Sequence, residues 1–425
     1  MATYSKNLSI KSNIVPSFYK KRFSYKLYYS STDIRDVWGN EVLNDPTFRT
    51  TINGGAGEVV IKLARKVDAF GEGDDIVLNR QVDIYVYDRD QPQGLLLYRG
   101  FISGYTPILD GPQEYVEITI LGYVVEIGSR ILKDGAGNTT ISYTDDPSNM
   151  MKDIIQKYRA EGGSLNYTST SIDLTGISVT YIFTCFTIKE ALDKVVELTP
   201  YGWYWRIDPD GTIYLKNKSA TADHQLYIGK HIFYMSPTRK LDDLRNCYYF
   251  IGGTPPGQPQ LYRKYKRISS VNTWGLKEEK YTDSRVTNSL TADVKATRFL
   301  DEKQEPSIIT TLRVLDNNGE NPDIGYDIES IKPGDTLAIA NLKSSRKDLT
   351  LWDQMIWDES NWDFEISFIT ADILHIMSTT YYPDYLELEA VRIFPNVPTR
   401  VDALAHELEA ITTSTLPIKP VEGAV

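Results

Sequence analysis

The run Gln81-Val82-Asp83-Ile84-Tyr85-Val86-Tyr87-Asp88 is followed by the turn Asp90-Gln91-Pro92-Gln93-Gly94. Leu95-Leu96-Leu97-Tyr98-Arg99-Gly100-Phe101-Ile102 comes next. In the first run Val82, Ile84 and Val86 alternate with Asp83, Tyr85 and Tyr87, the period of a half-buried strand. The proline and glycine between the runs mark a turn. Working outward, Arg22-Phe23-Ser24-Tyr25-Lys26-Leu27-Tyr28-Tyr29 also alternates. Glu58-Val59-Val60-Ile61-Lys62-Leu63-Ala64 follows a glycine-rich turn at 54–57, and Leu109-Asp110-Gly111-Pro112 turns into Tyr115–Tyr123. Short strands punctuated by turns, with no long helical pattern, predict a β-barrel or sandwich over residues 1–130.

The pattern changes at 131–235. Asp146-Pro147-Ser148 opens a helix whose apolar face is Met151, Ile154, Ile155 and Tyr158, and Gly162-Gly163 ends it. Thr187 with Glu190 forms a capping-box pattern ahead of Ala191, Leu192, Val195 and Val196, and Pro200 ends that helix. Trp203–Ile207, Asp208-Pro209-Asp210-Gly211 and Thr212–Lys216 read as a hairpin. This segment is a small α+β unit. Strands return over 236–395, with one helix expected at about 290–303, its Leu290, Val294 and Phe299 inward. Within 396–425, Arg400 to about Thr412 has the spacing of an amphipathic helix, with Val401, Leu404, Leu408 and Ile411 on one face. A tail broken by Pro417, Pro420 and Gly423 follows.

Composition excludes whole classes of function. The chain has 425 residues, enough for two to four domains. At 41% hydrophobic and 24% charged residues it is not disordered. No apolar run is long enough to span a bilayer, and Met1–Lys6 lacks the apolar stretch of a signal peptide, so a soluble protein made in a cytoplasm is expected. The net charge of −11 argues against gripping nucleic acid through its phosphates. It is compatible with letting DNA slide past. Two cysteines, Cys185 and Cys247, far apart in sequence, exclude four-cysteine zinc sites and closely spaced Cys2His2 sites.

No phosphate-binding loop, nucleophile elbow or His-Glu-x-x-His motif occurs. His406-Glu407 has no second histidine one turn on and reads as a solvated helix face. Cys185 sits in the apolar run Ile182-Phe183-Thr184-Cys185-Phe186 and reads as core. The carboxylate pairs Asp74-Asp75, Asp88 with Asp90, Asp145-Asp146 and Asp242-Asp243 fall in or beside turns, where aspartate is favoured for backbone reasons. Gly71–Asp75 and Asp134–Asn138 match no calcium loop and read as turns. No catalytic residue, cofactor or metal is therefore assigned.

Two segments are candidate interfaces. Tyr262, Lys264, Tyr265 and Arg267 belong to the one basic cluster, interleaved with tyrosine. In Leu351–Asp363 a Trp-Asp pair recurs three times at five-residue intervals, at Trp352, Trp357 and Trp362. That period is neither helical nor extended. It leaves three readings open: rings packed over a neighbouring sheet, a protein anchor, or a sugar platform. The terminal apolar face with Leu404 and Leu408 is a third candidate.

Several segments together resemble the hub proteins of tailed-phage tail tips and baseplates. They are Gln81–Asp88, Leu97–Tyr105, Asp242-Asp243-Leu244-Arg245-Asn246 with Gly252-Gly253, Trp274-Gly275 with the helix after Thr291, and Ile331-Lys332-Pro333-Gly334-Asp335. The Trp-Asp repeat is similar to acidic tryptophan stretches of minor tail proteins. The resemblance spans about 7–395. It implies a mainly β protein with two β-barrel hub domains, at 1–130 and 236–395, flanking a small α+β domain at 131–235, with a C-terminal helix. It also implies a homotrimer whose six barrels form a ring at the tail tip of a virion assembled in the bacterial cytoplasm. Expected partners are the distal tail or tail-tube ring protein, the tape-measure protein and a central tip or fibre protein, with DNA only in transit. No appended lysozyme-like or peptidase segment follows, so cell-wall cleavage is not expected. The alternative is a glycan-binding or glycan-cleaving tail protein using the three tryptophans.

Overall fold

The computed structural model describes residues 21–30, 32–65, 75–87, 92–255, 257–316, 325–340 and 373–392. The chain begins with β1 (Arg22–Tyr28), β2 (Ile34–Val37), β3 (Phe48–Thr51), β4 (Glu58–Leu63), β5 (Gln81–Tyr87), β6 (Leu95–Asp110) and β7 (Gln113–Gly122). All but β3 form a six-stranded sheet in the order β2-β1-β5-β6-β7-β4. The alternation around Gln81–Tyr87 has its expected result: Val82, Ile84 and Val86 are fully buried. Asp83, on the other face, is just as buried. It is held by Arg99 at 2.6 and 2.5 Å and by Tyr28 at 2.8 Å. The sheet curls so far that the chain after β2 meets its opposite edge, where Val42 bridges Leu63.

A short helix, α1 (Tyr123–Ser129), follows directly on β7 and was not anticipated from the sequence. The middle unit then runs β8 (Thr140–Asp145), α2 (Pro147–Ala160), β9 (Val179–Thr184), α3 (Ile188–Glu197), β10 (Trp203–Ile207) and β11 (Ile213–Asn217). Asp146 caps α2 by accepting from the Ser148 amide. At α3, Thr187 and Glu190 form both reciprocal bonds of the capping box, at 3.2 and 2.8 Å. β10 and β11 pair around the Asp208–Gly211 turn.

Next come β12 (His224–Tyr227), β13 (Ile232–Lys240), β14 (Cys247–Gly252), β15 (Tyr262–Lys266), α4 (Ile268–Trp274), β16 (Glu278–Asp283), α5 (Ser289–Lys303), β17 (Ser307–Leu315), β18 (Thr336–Ala340), β19 (Ile373–Tyr381) and β20 (Tyr385–Arg392). Six of these make the path β12-β18-β19-β20-β17-β13, and β3 of the first segment joins as a seventh strand beside β19. The end strands β12 and β13 are consecutive in the chain and are also tied by an Ile228–Ile232 bridge. The remaining three strands form a separate sheet, β15-β14-β16.

Two cores result. Side chains from β1–β7 and from the seven-stranded sheet share one continuous core, including Leu27, Ile61, Ile84, Ile118, Leu312, Ile376 and Leu388. Each such fully buried residue contributes about 1.5–3 kcal/mol of burial free energy. The second core joins the middle unit to β14 and α5 through Tyr181, Trp205, Tyr248, Phe250 and Leu300. On α5 the inward residues are Thr291, Ala292, Lys295, Ala296 and Leu300. Val294 and Phe299 are partly buried against the core as expected, whereas Leu290 is 53% exposed. Leu290 shares the first turn with the fully buried Thr291 and Ala292 but projects from the solvent side of the helix.

Candidate interfaces

The basic cluster forms β15, an outer strand of the three-stranded sheet. The sheet's inner face is closed by α5: Tyr248 stacks on Phe299 at 4.1 Å, and Tyr265 bonds through its hydroxyl to Asp293. Arg267 reaches Asp301 of α5 at 2.5 Å. Strand alternation sends Tyr262, Lys264 and Lys266 to the other face, and all three are exposed. There Lys264 Nζ lies 4.7 Å above the Tyr249 ring, and Tyr249 donates to Glu278 at 2.8 Å. The four candidates therefore divide. Tyr265 and Arg267 hold the helix, while Tyr262 and Lys264 face outward.

The Ile331–Asp335 segment builds a second polar cluster, sealed at the junction of the β10–β11 hairpin and the seven-stranded sheet. Gly334 has φ +97°, and a Cβ there would collide with the Tyr204 ring, so the tight approach requires glycine. The turn aims Asp335 at three donors: Arg206 at 3.0 Å, His224 Nε2 at 3.1 Å and the Lys332 amide at 2.9 Å. Burial pushes the Asp335 carboxyl up, but the His224 hydrogen bond and the Arg206 charge outweigh it and hold the group below the usual range. His375 is fully buried one strand away, 5.3 Å from the Tyr204 ring. Burial, with the Lys218 charge beside it, pushes its imidazole down to about 3. Half-buried Lys218 faces a cleft of about 580 Å³ with Tyr201, Trp203, Tyr204 and Arg298, and burial lowers its ammonium to about 8.

Other candidate chemistry resolves into turns and caps. Cys185 is not core: it is an exposed turn residue with φ 53°, its thiol 3.3 Å from Thr139 Oγ1. Of the apolar neighbours that made it look buried, Phe183 points inward from β9 and Phe186 packs beyond it, whereas the cysteine follows the end of that strand. Cys247 is buried. Asp75 pairs with Arg65 and Trp38, Asp146 caps α2, and Asp134 accepts from the Ala136 and Asn138 amides in a tight turn. Among the described residues no group of three or more His, Cys, Asp or Glu is arranged to hold a metal ion, and no helix is long and apolar enough to cross a membrane. Trp352, Trp357, Trp362, Leu404 and Leu408, with His406, Asp74, Asp88 and Asp90, lie outside the described residues. Sequence reasoning missed the Asp335 cluster as a unit. Its members, Arg206, His224 and Asp335, lie on three separated segments, and only the glycine-aspartate turn hinted at it.

No protein-family model matches the chain, and no curated protein sequence does. Solved structures do. The tail protein from Neisseria meningitidis MC58 is 11% identical with a TM-score of 0.54, covering 88% of this chain and 96% of its own. The 43 kDa tail protein of prophage MuSo2 from Shewanella oneidensis is 9% identical with a TM-score of 0.53, covering 88% and 99%. Prophage tail protein gp18 from Listeria monocytogenes EGD-e is 12% identical with a TM-score of 0.51, covering 92% and 99%. The chain thus shares its mainly β fold over 88–92% of its length with three tail proteins, two of them from prophages.

Proposed function

We propose that this chain is the structural hub of a phage or phage-like tail tip or baseplate and has no enzymatic activity. The observation that carries the reading is a fold shared over 88–92% of the chain with three tail proteins, two of them from prophages. Each large sheet would close into a barrel. The Val42–Leu63 bridge supports this for the first, and the short link between β12 and β13 for the second. The barrels would correspond to about 1–130 and 236–395, with the α+β unit at 131–235 and a helix and tail at 396–425. In space the second barrel would also take β3, β12 and β13, which pair into the same seven-stranded sheet. Three copies would place six barrels around a lumen. That ring would join the tail-tube ring to a central tip or fibre protein and let the tape-measure protein and then DNA pass. The net charge of −11 suits a conduit that must release DNA. Light scattering of the full chain, with a search for it in purified tail particles, tests the reading. The expected mass is that of three copies, and the protein is expected in the particle. A strict monomer absent from tails would overturn it.

A further inference from the structure

Lys218 follows directly on β11, and its amide donates to the Gly202 carbonyl at 2.9 Å. That bond keeps the residue beside Tyr201, whose ring centre lies 4.8 Å from Nζ. Other poorly exposed lysines reach a carboxylate: Lys21 meets Glu329 at 2.6 Å, Lys194 meets Glu197 at 2.6 Å and Lys295 meets Asp283 at 2.7 Å. Lys218 makes no ion pair among the described residues. Two α5 carboxylates that line its cleft are already engaged, Glu302 by Arg298 at 3.0 Å and Asp301 by Arg267 at 2.5 Å. Arg298 in turn donates to the Val196, Pro200 and Trp203 carbonyls at 2.6, 3.1 and 3.1 Å. A half-buried amine therefore faces about 580 Å³ of cleft without a counter-charge of its own. Burial lowers its ammonium to about 8, with Glu302 pulling it up and Arg298 pushing it further down. The fully buried His375 of β19 feels the Lys218 charge in its turn.

We propose that Lys218 is an acylation site, an amine in a cleft that takes a small uncharged acyl group from an activated carboxyl donor. A lysine that lacks a carboxylate partner and is partly stripped of water gives up its proton more readily, and only the neutral amine has a lone pair to donate. That lone pair attacks the acyl carbon. The amide C–N bond forms, the bond to the leaving group breaks, the leaving group departs with its electron pair, and the surplus proton of the nitrogen passes to solvent. Trp203, Ile308, Met377 and Val391 give the cleft an apolar wall that suits a short acyl chain. Asp243 and Glu302, on the same cleft, oppose a chain that brings a carboxylate of its own. Acylation would remove a positive charge where the middle unit, α5 and the seven-stranded sheet meet. The site lies within one copy and is independent of the hub reading.

The test is competitive labelling of the full-length protein with trace acetic anhydride from about pH 6 to about pH 11, read lysine by lysine by mass spectrometry. Lys264 is the internal reference, because it is exposed and the Tyr249 hydroxyl beside it holds its ammonium above the usual range. Labelling of Lys218 is expected to reach half its plateau near pH 8. At that pH it should run at least about tenfold faster than at Lys264, since roughly half of the Lys218 amine is then neutral, against well under 1% or so of an ordinary lysine. Succinic anhydride, whose product adds a carboxylate, should lose most of that preference. Tyr201→Glu sets a carboxylate beside the amine and should move the half-point up by about one pH unit or more. A Lys218 that stays unlabelled, that climbs in step with Lys264 through about pH 10, or that takes succinyl as readily as acetyl would overturn the proposal, as would an unmoved half-point in the folded variant. The wild-type protein decides alone if Tyr201→Glu fails to fold.

Discussion

Two charged clusters in this chain have opposite environments. Around Asp335, Arg206 and His224 are sealed between the β10–β11 hairpin and the seven-stranded sheet, and each charge faces a partner. On β15, Lys264 and Lys266 are exposed on a face that no described element covers. A buried charge must be matched inside the fold, so the first cluster fixes how the middle unit sits on the sheet. An exposed basic and aromatic face stabilises little by itself and remains available for contact.

The largest expected effect breaks the buried cluster. Asp335→Ala removes the carboxylate that Arg206 and His224 share, leaving Arg206 only the Asp208 carboxylate at 3.1 Å, and should cost about 3 kcal/mol in chemical denaturation. Gly334→Ala comes next. It forces a left-handed backbone and a clash with Tyr204, for an expected loss of about 2–3 kcal/mol. The third prediction concerns pH. His375 is held neutral when folded, with its imidazole at about 3, against about 6.5 when unfolded. Its contribution is fully present above pH 6.5 and fades as pH falls toward 3, because the unfolded chain takes up the proton first. Between pH 6.5 and 5 that amounts to about 1.5 kcal/mol. Burial and Lys230 lower His231 as well, which adds a slope of the same sign. His375→Leu should therefore flatten the stability curve in this window by the His375 share alone. An unchanged slope would show that the imidazole is not sealed. The smallest effect is on the open face: Lys264→Ala/Lys266→Ala should leave the unfolding midpoint unchanged. A large loss there would erase the contrast between the clusters.

Much of the fold was legible in the sequence because it is written in local chemistry. Val82, Ile84 and Val86 showed the inward face of β5, Thr187 with Glu190 marked the start of α3, and Asp208–Gly211 marked the hairpin. What escaped depends on distant partners. The strand Phe48–Thr51 belongs to the first segment in sequence but pairs with Ser378–Tyr381. Leu290 fitted a helical stripe, yet it faces solvent because the buried stripe runs through Thr291, Ala292, Lys295 and Ala296 instead. Cys185 was judged by its neighbours, whereas its positive φ puts it on the turn. Of the candidate interface, alternation on β15 could separate Tyr262 and Lys264 from Tyr265 and Arg267. Only the position of α5 shows which pair is covered.

The most direct test of the central claim is electron microscopy of the full-length protein viewed along its assembly axis. A ring of three copies with six lobes around an open lumen is the expected image. A single asymmetric particle, or a closed assembly without a lumen, would contradict the hub.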